Sequence, residues 1–291
     1  MRSISRLPVR VLTHNIRYAT SSPFKGERPW PERKQRLLNE LNYHTRHCGE
    51  TFICLQEALH NQLVDVLSGL NQDTNPGAPE WAYIGVGRDD GLEAGEYSPI
   101  FYRPDIWSLR HWETVWLSET PQTPSKGWDA GSIRIVTIGV FVHRASHRAV
   151  LAMNTHLDNR GSRARLESAR LIRTKIGEYR RGEMGQLIRG TFLAGDLNSE
   201  ETEEAYLALT EPGGLVDTFK SVDPTQRYGN ENTFTGFGYQ EEPQNRIDYI
   251  LLDSGEPTWR VDGYAVLTNR FDDDVFNSDH RAVVADLILL G

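Results

Sequence analysis

The 291-residue chain alternates short apolar runs with polar segments along nearly its whole length. The runs are rich in Val, Ile, Leu, Phe and Thr, a composition typical of β-strands. They read VRVLTHN, TFICLQE, SPIFYR, SIRIVTIGVFVH, AVLAMNTH, GTFLAGD, RIDYILL and RAVVADLILL. No internal repeat, low-complexity tract or interdomain linker separates them. We therefore predict a single domain over residues 9–291, preceded by a short N-terminal extension, residues 1–8.

A smaller number of segments have helical periodicity. Residues 31–46 begin with Pro31, which is favoured in the first turn of a helix. In residues 60–70 and 162–180 the apolar positions recur with the spacing of an amphipathic helix. Many strands and few helices favour two sheets packed face to face, with helices on their outer faces. Segments rich in Pro, Gly, Asp, Asn or Thr predict long loops at 71–80, 118–131 and 220–245.

The composition is that of a folded, soluble protein. Apolar residues make up 38% and charged residues 25%, with seven Trp and ten Phe, so the chain can bury a core and the composition disfavours intrinsic disorder. No apolar run is long enough to cross a bilayer, and the N-terminus lacks the apolar stretch of a secretory signal. We therefore predict an intracellular protein with a cytoplasmic location. Cys48 and Cys54 are too few for a disulfide scaffold, although a bridge between the two stays open.

The charge balance bears on the choice of partner. The net charge is −8 and the pI is about 5.6, whereas proteins that bind nucleic acid through its phosphates carry clustered Lys and Arg. Nucleic acid is therefore disfavoured as a substrate without being excluded, since the first fifty residues hold a local positive excess. A metal site also concentrates carboxylates that its ion neutralises. The sequence does not specify an oligomeric state.

The candidate functional residues share one position, the end of an apolar strand-like run. Strand ends are where a rigid scaffold can aim several side chains into one cleft. Nearly all of these residues are carboxylates, amides or imidazoles. They are Asn15, Glu57, His156, Asp196, Asn198, Asp248, Asp279 and His280.

This set of side chains points to a hard cation and a phosphate ester. Carboxylate and amide oxygens suit Mg²⁺, Mn²⁺ or Ca²⁺, and no His/Cys cluster has the spacing of a zinc site. Mg²⁺ usually leaves coordination positions for water and for a substrate phosphate, whose oxygens it polarises. We therefore predict a metal-dependent phosphoesterase.

The acid–base roles follow from the chemistry of the side chains. His280 is the best candidate general base, because the ordinary pKa of His lies close to neutrality. Asp248 is the natural partner to orient it. Asp196 is placed to orient the attacking water, and His156 to donate a hydrogen bond to the phosphoryl oxygens.

Six short motifs resemble the endonuclease/exonuclease/phosphatase superfamily, which includes DNase I-like nucleases, neutral sphingomyelinases, inositol-polyphosphate 5-phosphatases and deadenylases. They occur in the family's order and span residues 13–283. The motifs are THN (13–15), LQE (55–57), NTHLD (154–158), GDLNS (195–199), RIDYI (246–250) and SDHRAV (278–283). The resemblance implies an α+β fold, a four-layer α/β/β/α sandwich of two packed mixed sheets with helices outside. It also implies a site at one edge of the paired sheets and Mg²⁺ or Mn²⁺ as cofactor.

The resemblance also implies roles for individual positions. Asn15 and Glu57 would hold or orient the metal, and Asp279 would complete its environment. Asp196 and Asn198 would position water and stabilise the transition state. For the remaining strand-end residues the implied roles agree with those assigned from their chemistry.

The substrate contacts are less specified. Arg suits bidentate phosphate binding, and Phe in a Thr/Gly-rich loop suits substrate recognition. Arg134, Arg165 and Glu96 are better explained as solvated or salt-bridged side chains. Asp158 is explained equally well as a partner of the site residues and as a turn former. The candidates are Asp158, Arg134, Arg165, Trp128, Phe234 and Phe237.

Three hypotheses about function remain. The leading one is a phosphoesterase that cleaves a P–O bond of a small or head-group phosphate mono- or diester with an activated water. The alternative is a metal-dependent nuclease acting on DNA or RNA. The third, a catalytically silent binding module, is disfavoured because every expected metal and base residue is retained.

Overall fold

The computed structural model describes residues 6–72, 79–239, 241, 243–255 and 258–290. Most of the predicted loop 71–80 lies outside the described residues, as do residues 1–5 of the predicted N-terminal extension. Strand β1 begins at Leu7, two positions before the expected start of the domain.

The described residues form strands and helices in mixed order. The strands are β1 Leu7–Asn15, β2 Thr51–Gln56, β3 Ala82–Ile84, β4 Ile100–Tyr102, β5 Trp107–Trp116, β6 Ile135–His143, β7 Ala149–His156, β8 Ile188–Asp196, β9 Leu215–Asp217, β10 Arg227–Gly229, β11 Asp248–Asp253, β12 Trp259–Val266 and β13 Val283–Leu289. The helices are α1 Trp30–Thr45, α2 His60–Leu70, α3 Ser162–Arg181, α4 Glu204–Thr210 and the single turn α5 Thr218–Ser221.

The strands form two mixed sheets. One has seven strands in the order β10-β12-β13-β1-β2-β4-β3, and the other has six in the order β5-β6-β7-β8-β11-β9. In the first sheet β1 runs parallel to β2 and antiparallel to β13. In the second, β8 runs parallel to β7 and antiparallel to β11. Strands β2, β7 and β11 are buried along their whole length. The ends of the central strands of both sheets meet at one edge of the sandwich.

The sheets pack face to face through an apolar layer. Val11 and Phe52 of the first sheet lie in one buried cluster with Phe141 and Phe192 of the second. The ring of Phe52 lies 5.0 Å from that of Phe141 and 5.4 Å from that of Phe192. Such aromatic contacts bury large apolar areas and fix the spacing of the two sheets.

Helices cover both outer faces. Leu37 and Leu41 of α1 and Leu63 of α2 are buried with Ile53 on the seven-stranded sheet. Helices α3 and α4 pack on the six-stranded sheet through a separate buried cluster. The fold is thus the four-layer α/β/β/α sandwich that the sequence predicts.

The eight apolar runs all contain strands, and the three predicted helices are present within two residues of their expected limits. None of the described helices is both long and apolar enough to span a membrane. Cys48 and Cys54 are both free thiols.

Candidate active site

Strand register brings the polar strand ends together. In the pairing of β7 with β8, His156 lies opposite Asp196, and in the pairing of β8 with β11, Asp248 also lies opposite Asp196. In the other sheet, the last residue of β1, Asn15, lies opposite the last residue of β2, so that Glu57 follows directly. The two groups face each other across the sandwich edge.

These residues surround a cleft of about 910 Å³. Six of the eight strand-end residues line it, while Asn15 and Asp248 lie behind the surface and are fully buried. The rest of the lining is dominated by arginines, carboxylates and amides. It includes Arg17, Tyr18, Arg88, Glu96, Ser132, Arg134, Asn159, Arg160, Arg165, Glu200, Glu203, Phe234 and Asn245.

Asp248 and His280 form a buried dyad. His280 Nδ1 lies 2.8 Å from Asp248 Oδ2, and the two residues are 4% and 0% exposed. The other ring nitrogen, Nε2, lies 3.6 Å from Asp196 Oδ2. Burial lowers the pKa of His280, but the charges of Asp248 and Asp196 outweigh it and raise that pKa to about 10. The imidazole is therefore held between two carboxylates with Nε2 directed at the cleft.

A second group is organised by Asn15. Its Nδ2 donates to Glu57 Oε1 and to Asp196 Oδ2, both at 3.0 Å, and so links the two sheets. The other Glu57 oxygen accepts the backbone N–H of Tyr18 at 3.1 Å. Glu57 has a φ of +59°, a left-handed conformation that is rare outside Gly and Asn. Such outliers cluster at functional sites, where the surrounding contacts hold them in place.

The carboxylates of the cleft are crowded, and their pKa values show it. Burial, with the charge of Asp248, raises the pKa of Asp196 to about 7. Burial, with the charge of Glu57, also raises the pKa of Asp279 and raises that of Glu96 to about 7. A bound cation offsets such repulsion. The donor set therefore fits a hard divalent metal.

Asp196, Asp248 and His280 present ligand atoms that all lie within 4.8 Å of one another, so this trio can hold a metal ion. It differs from the predicted set of Glu57, Asn15 and Asp279. Because His280 Nδ1 is already hydrogen-bonded to Asp248, only Nε2 of that ring is free to coordinate a metal ion. Glu57 also lines the cleft, where Asn15 Nδ2 and the Tyr18 N–H fix the orientation of its carboxylate.

His156 is neutral. Burial lowers the pKa of His156 well below its ordinary value, and the positive charges of Arg134 and Arg88 lower it further. Its Nε2 lies 3.0 Å from Asn198 Nδ2. Because an amide nitrogen can only donate a hydrogen bond, Nε2 is the acceptor. The proton is then on Nδ1, which lies 3.8 Å from Glu96 Oε2.

The arginines predicted to contact substrate lie in the wall of the cleft. Arg134 Nε lies 3.3 Å from Asp158 Oδ2, and Arg165 Nε lies 2.7 Å from Glu204 Oε1. Asp158 does not line the cleft. Its carboxylate accepts four backbone N–H groups, and these hydrogen bonds outweigh burial to lower its pKa. Asp158 thus fixes the backbone at residues 131–132 and 160–161, next to Arg134 and Arg160 of the cleft wall.

The aromatic candidates are divided. Phe234 lines the cleft, with its ring 5.0 Å from that of His280. Phe237 is only 4% exposed and packs edge-on against Phe276, away from the cleft. Trp128 is half-buried and does not line the cleft either. The geometry supports a substrate contact for Phe234 and gives no such support for Phe237 or Trp128.

Sequence reasoning missed three arginines of the cleft, Arg17, Arg88 and Arg160. Arg88 binds Glu96 through two hydrogen bonds of 2.7 and 2.9 Å, and it lies in a turn that carries no strand-end signal. Arg17 follows the THN motif by two positions, so its proximity to Asn15 was available as a signal. Its side chain lies 3.4 Å from Glu27 and 3.9 Å from Glu57.

A larger cleft, of about 1140 Å³, lies beside the C-terminal half of α1 and includes Tyr43 and Tyr228. None of the predicted site residues lines it. We therefore assign the chemistry to the smaller cleft, where the titratable groups converge.

Comparison with known proteins identifies the family. The model of the endonuclease/exonuclease/phosphatase family matches residues 12–280. The chain belongs to this family. No curated protein matches the chain.

Solved structures of family members share the whole fold. A family protein from Bacteroides vulgatus is 34% identical, with a TM-score of 0.83, over 97% of this chain and 99% of the other. A mannosyl-6-phosphatase from Bacteroides thetaiotaomicron is 33% identical, with a TM-score of 0.82, over 96% and 99%. A zebrafish TDP2 bound to single-stranded DNA product is 18% identical, with a TM-score of 0.70, over 96% and 98%, and shares the fold alone.

Proposed function

We propose that this protein is a Mg²⁺- or Mn²⁺-dependent phosphatase that hydrolyses the phosphate monoester of a small, hydroxyl-rich alcohol such as a sugar. The observation that carries the proposal is the buried Asp248–His280 dyad, whose free Nε2 faces Asp196 in a polar cleft. Burying these charged groups costs desolvation free energy that their attraction often does not repay, so the burial of the dyad favours a chemical role.

The residues of the chain divide the work of hydrolysis. Asp196 holds a water molecule next to His280 Nε2, and that nitrogen takes the proton as the water oxygen attacks phosphorus. The bond between phosphorus and the ester oxygen breaks, the leaving oxygen takes a proton from solvent water, and His280 then returns its own proton to the solvent. Asn198 Nδ2 donates to His156 Nε2 and to the backbone oxygen of Leu157, and so keeps His156 in place beside the phosphoryl group. Asp248 keeps the imidazole oriented throughout.

Glu57, supported by Asn15 and Asp279, would hold the cation. When bound, the cation would polarise the phosphoryl oxygens and offset the carboxylate charges that raise the pKa of His280, so that this pKa falls and Nε2 can accept a proton. The raised pKa values of Asp196 and Asp279 come first from burial and then from neighbouring carboxylates, and they favour this assignment because a cation would stabilise the charged form of both groups.

Three observations favour a sugar phosphate over a nucleic acid. The wall of the cleft presents carboxylate–arginine pairs and amides, with Glu96, Asn159 and Asn245 among them, and these groups suit hydrogen bonds to several hydroxyls. A relative that is 33% identical over almost the whole chain is a mannosyl-6-phosphatase. The net charge of −8 works against a polyanionic strand.

The test is a substrate panel with matched cofactor conditions. Phosphate release would be measured from hexose 6-phosphates, nucleotides, inositol phosphates, a phosphodiester dye and oligonucleotides, each with Mg²⁺, with Mn²⁺ and with EDTA. We expect hexose phosphates to be turned over best and EDTA to abolish release. Preferential cleavage of oligonucleotides would contradict the proposal, as would activity that survives both EDTA and the His280→Ala substitution.

A further inference from the structure

Beneath the cleft, the inner face of α1 carries two charged side chains, Arg33 and Glu40. They are two helical turns apart and so lie on the same face. Arg33 is fully buried and Glu40 is 8% exposed. Neither side chain lines the cleft that holds Asp196.

Arg33 ties together the two segments that flank the site. Its Nη1 donates to the backbone oxygen of Ile16 at 2.6 Å and to that of Asn277 at 2.9 Å. Its Nη2 donates to the backbone oxygen of Arg17 at 2.7 Å. One guanidinium therefore joins the loop after β1 to the loop that leads to His280.

Glu40 continues the connection to the base. Its Oε2 accepts a hydrogen bond from Asn277 Nδ2 at 3.0 Å, and its Oε1 lies 3.0 Å from His14 Nδ1. His14 is fully buried, and its Nε2 lies 3.2 Å from the backbone oxygen of His280. Because a carbonyl oxygen only accepts, Nε2 of His14 carries a proton and donates it.

The energetics indicate what this network is for. Burying charged groups costs several kcal/mol of desolvation, and well-packed apolar residues in their place are often neutral or stabilising. In this protein the buried groups do not reach the reacting atoms. They reach the main chain on both sides of the site, at Ile16 and Arg17 and at Asn277 and His280. Their contacts therefore favour a role in geometry over one in packing.

We propose that His14, held by Glu40 and supported by Arg33, is a positioning residue that fixes the main chain of His280 and so the aim of its imidazole. The inference rests on the proposed function, in which His280 is the general base. Asn269 Nδ2 donates to the same carbonyl oxygen at 3.1 Å. Loss of His14 thus loosens the His280 backbone without releasing it, and the expected defect is partial.

Three variants separate positioning from stability. His14→Phe keeps a planar ring but removes both polar contacts. His14→Gln keeps a donor that reaches toward the His280 carbonyl. Arg103→Met is the matched control, because Arg103 is also buried and bonds backbone oxygens at the end of α1, at Thr45 and Cys48, far from the cleft residues.

Two measurements are made on each variant. The first is the NMR signal of the His280 Nδ1–H proton in the metal-free protein, identified by its loss in His280→Ala. The second is kcat and KM for hydrolysis of mannose 6-phosphate or, if that is not turned over, of the best substrate found. The thermal unfolding midpoint is recorded for each.

In His14→Phe we expect the His280 proton signal to shift or broaden and kcat to fall by about 10- to 100-fold with little change in KM. In His14→Gln we expect partial recovery of both. In Arg103→Met we expect a lower unfolding midpoint with signal and kcat unchanged. If His14→Phe behaves like Arg103→Met, the network is structural and the inference is wrong. If the wild-type protein hydrolyses no phosphate ester, the proposed function fails, and the NMR comparison still decides the positioning role.

Discussion

Replacing Asp248 with Asn removes the charge behind the general base while nearly preserving the size of the side chain. Asp248 Oδ2 and His280 Nδ1 are 2.8 Å apart and buried, so their hydrogen bond is charge-assisted. Such bonds contribute about 1.5 to 3 kcal/mol. At about 1.36 kcal/mol per factor of ten, that is a loss of about 10- to 150-fold in rate. General base catalysis as a whole, typically about 10²- to 10⁴-fold, sets the upper limit.

The assay is steady-state phosphate release at saturating Mn²⁺, with KM measured for each variant. We expect the loss of rate caused by Asp248→Asn to appear in kcat, because Asp248 orients the base and does not touch the substrate. The matched control is Asp253→Asn, at the opposite end of the same strand. Asp253 is also buried and accepts hydrogen bonds from Thr191 N and Trp259 Nε1, both at 2.8 Å. This control is expected to lower the free energy of unfolding and leave kcat unchanged.

A double variant gives the sharper result. If Asp248 acts through His280, then Asp248→Asn adds no further loss in kcat when His280 is already Ala, because groups that act as a unit are not additive. Losses that multiply in the double variant would refute the dyad, as would a folded Asp248→Asn protein with the kcat of wild type.

Three further predictions concern separate parts of the site. Glu57→Gln should weaken Mn²⁺ binding by at least about tenfold in a calorimetric titration, and equal affinity would remove Glu57 from the metal site. Asp158→Asn should lower the free energy of unfolding by about 1 to 3 kcal/mol near neutral pH in urea titrations. Because the pKa of Asp158 is lower in the folded protein than in the unfolded chain, its contribution to the free energy of unfolding is fully present above about pH 4. The difference in unfolding free energy between wild type and Asp158→Asn should therefore narrow as the pH falls below that value. A difference that stays constant would contradict this assignment. Phe234→Ala should raise KM more than it lowers kcat, and an unchanged KM would exclude a substrate contact.

Much of the fold could be predicted from local sequence patterns. Central strands such as β7 and β8 are apolar along their length, because both faces are buried, and their limits follow from composition. Edge strands are harder. In β5 the residues from Ser108 to Thr114 are exposed or half-exposed, so the polar and charged positions there mask the strand.

The site was predictable where chemistry lies at strand ends, since register then brings residues together. Asp196 illustrates this, with His156 and Asp248 as its partners on the neighbouring strands. Residues that depend on tertiary loops were not predictable. Phe237 and Arg88 sit in similar turn-rich sequence, yet one is buried and the other lines the cleft. Only the packing of distant loops decides between them.

The central claim is that His280 activates a water molecule to cleave a P–O bond. It is tested most directly by hydrolysis of the best phosphate-ester substrate in ¹⁸O-labelled water, with Mn²⁺ present, followed by mass spectrometry of both products. The account predicts one ¹⁸O atom in the released phosphate, none in the alcohol, and release by His280→Ala that is slower by about 10²- to 10⁴-fold. Label in the alcohol, or labelled phosphate released by His280→Ala at the wild-type rate, would contradict it.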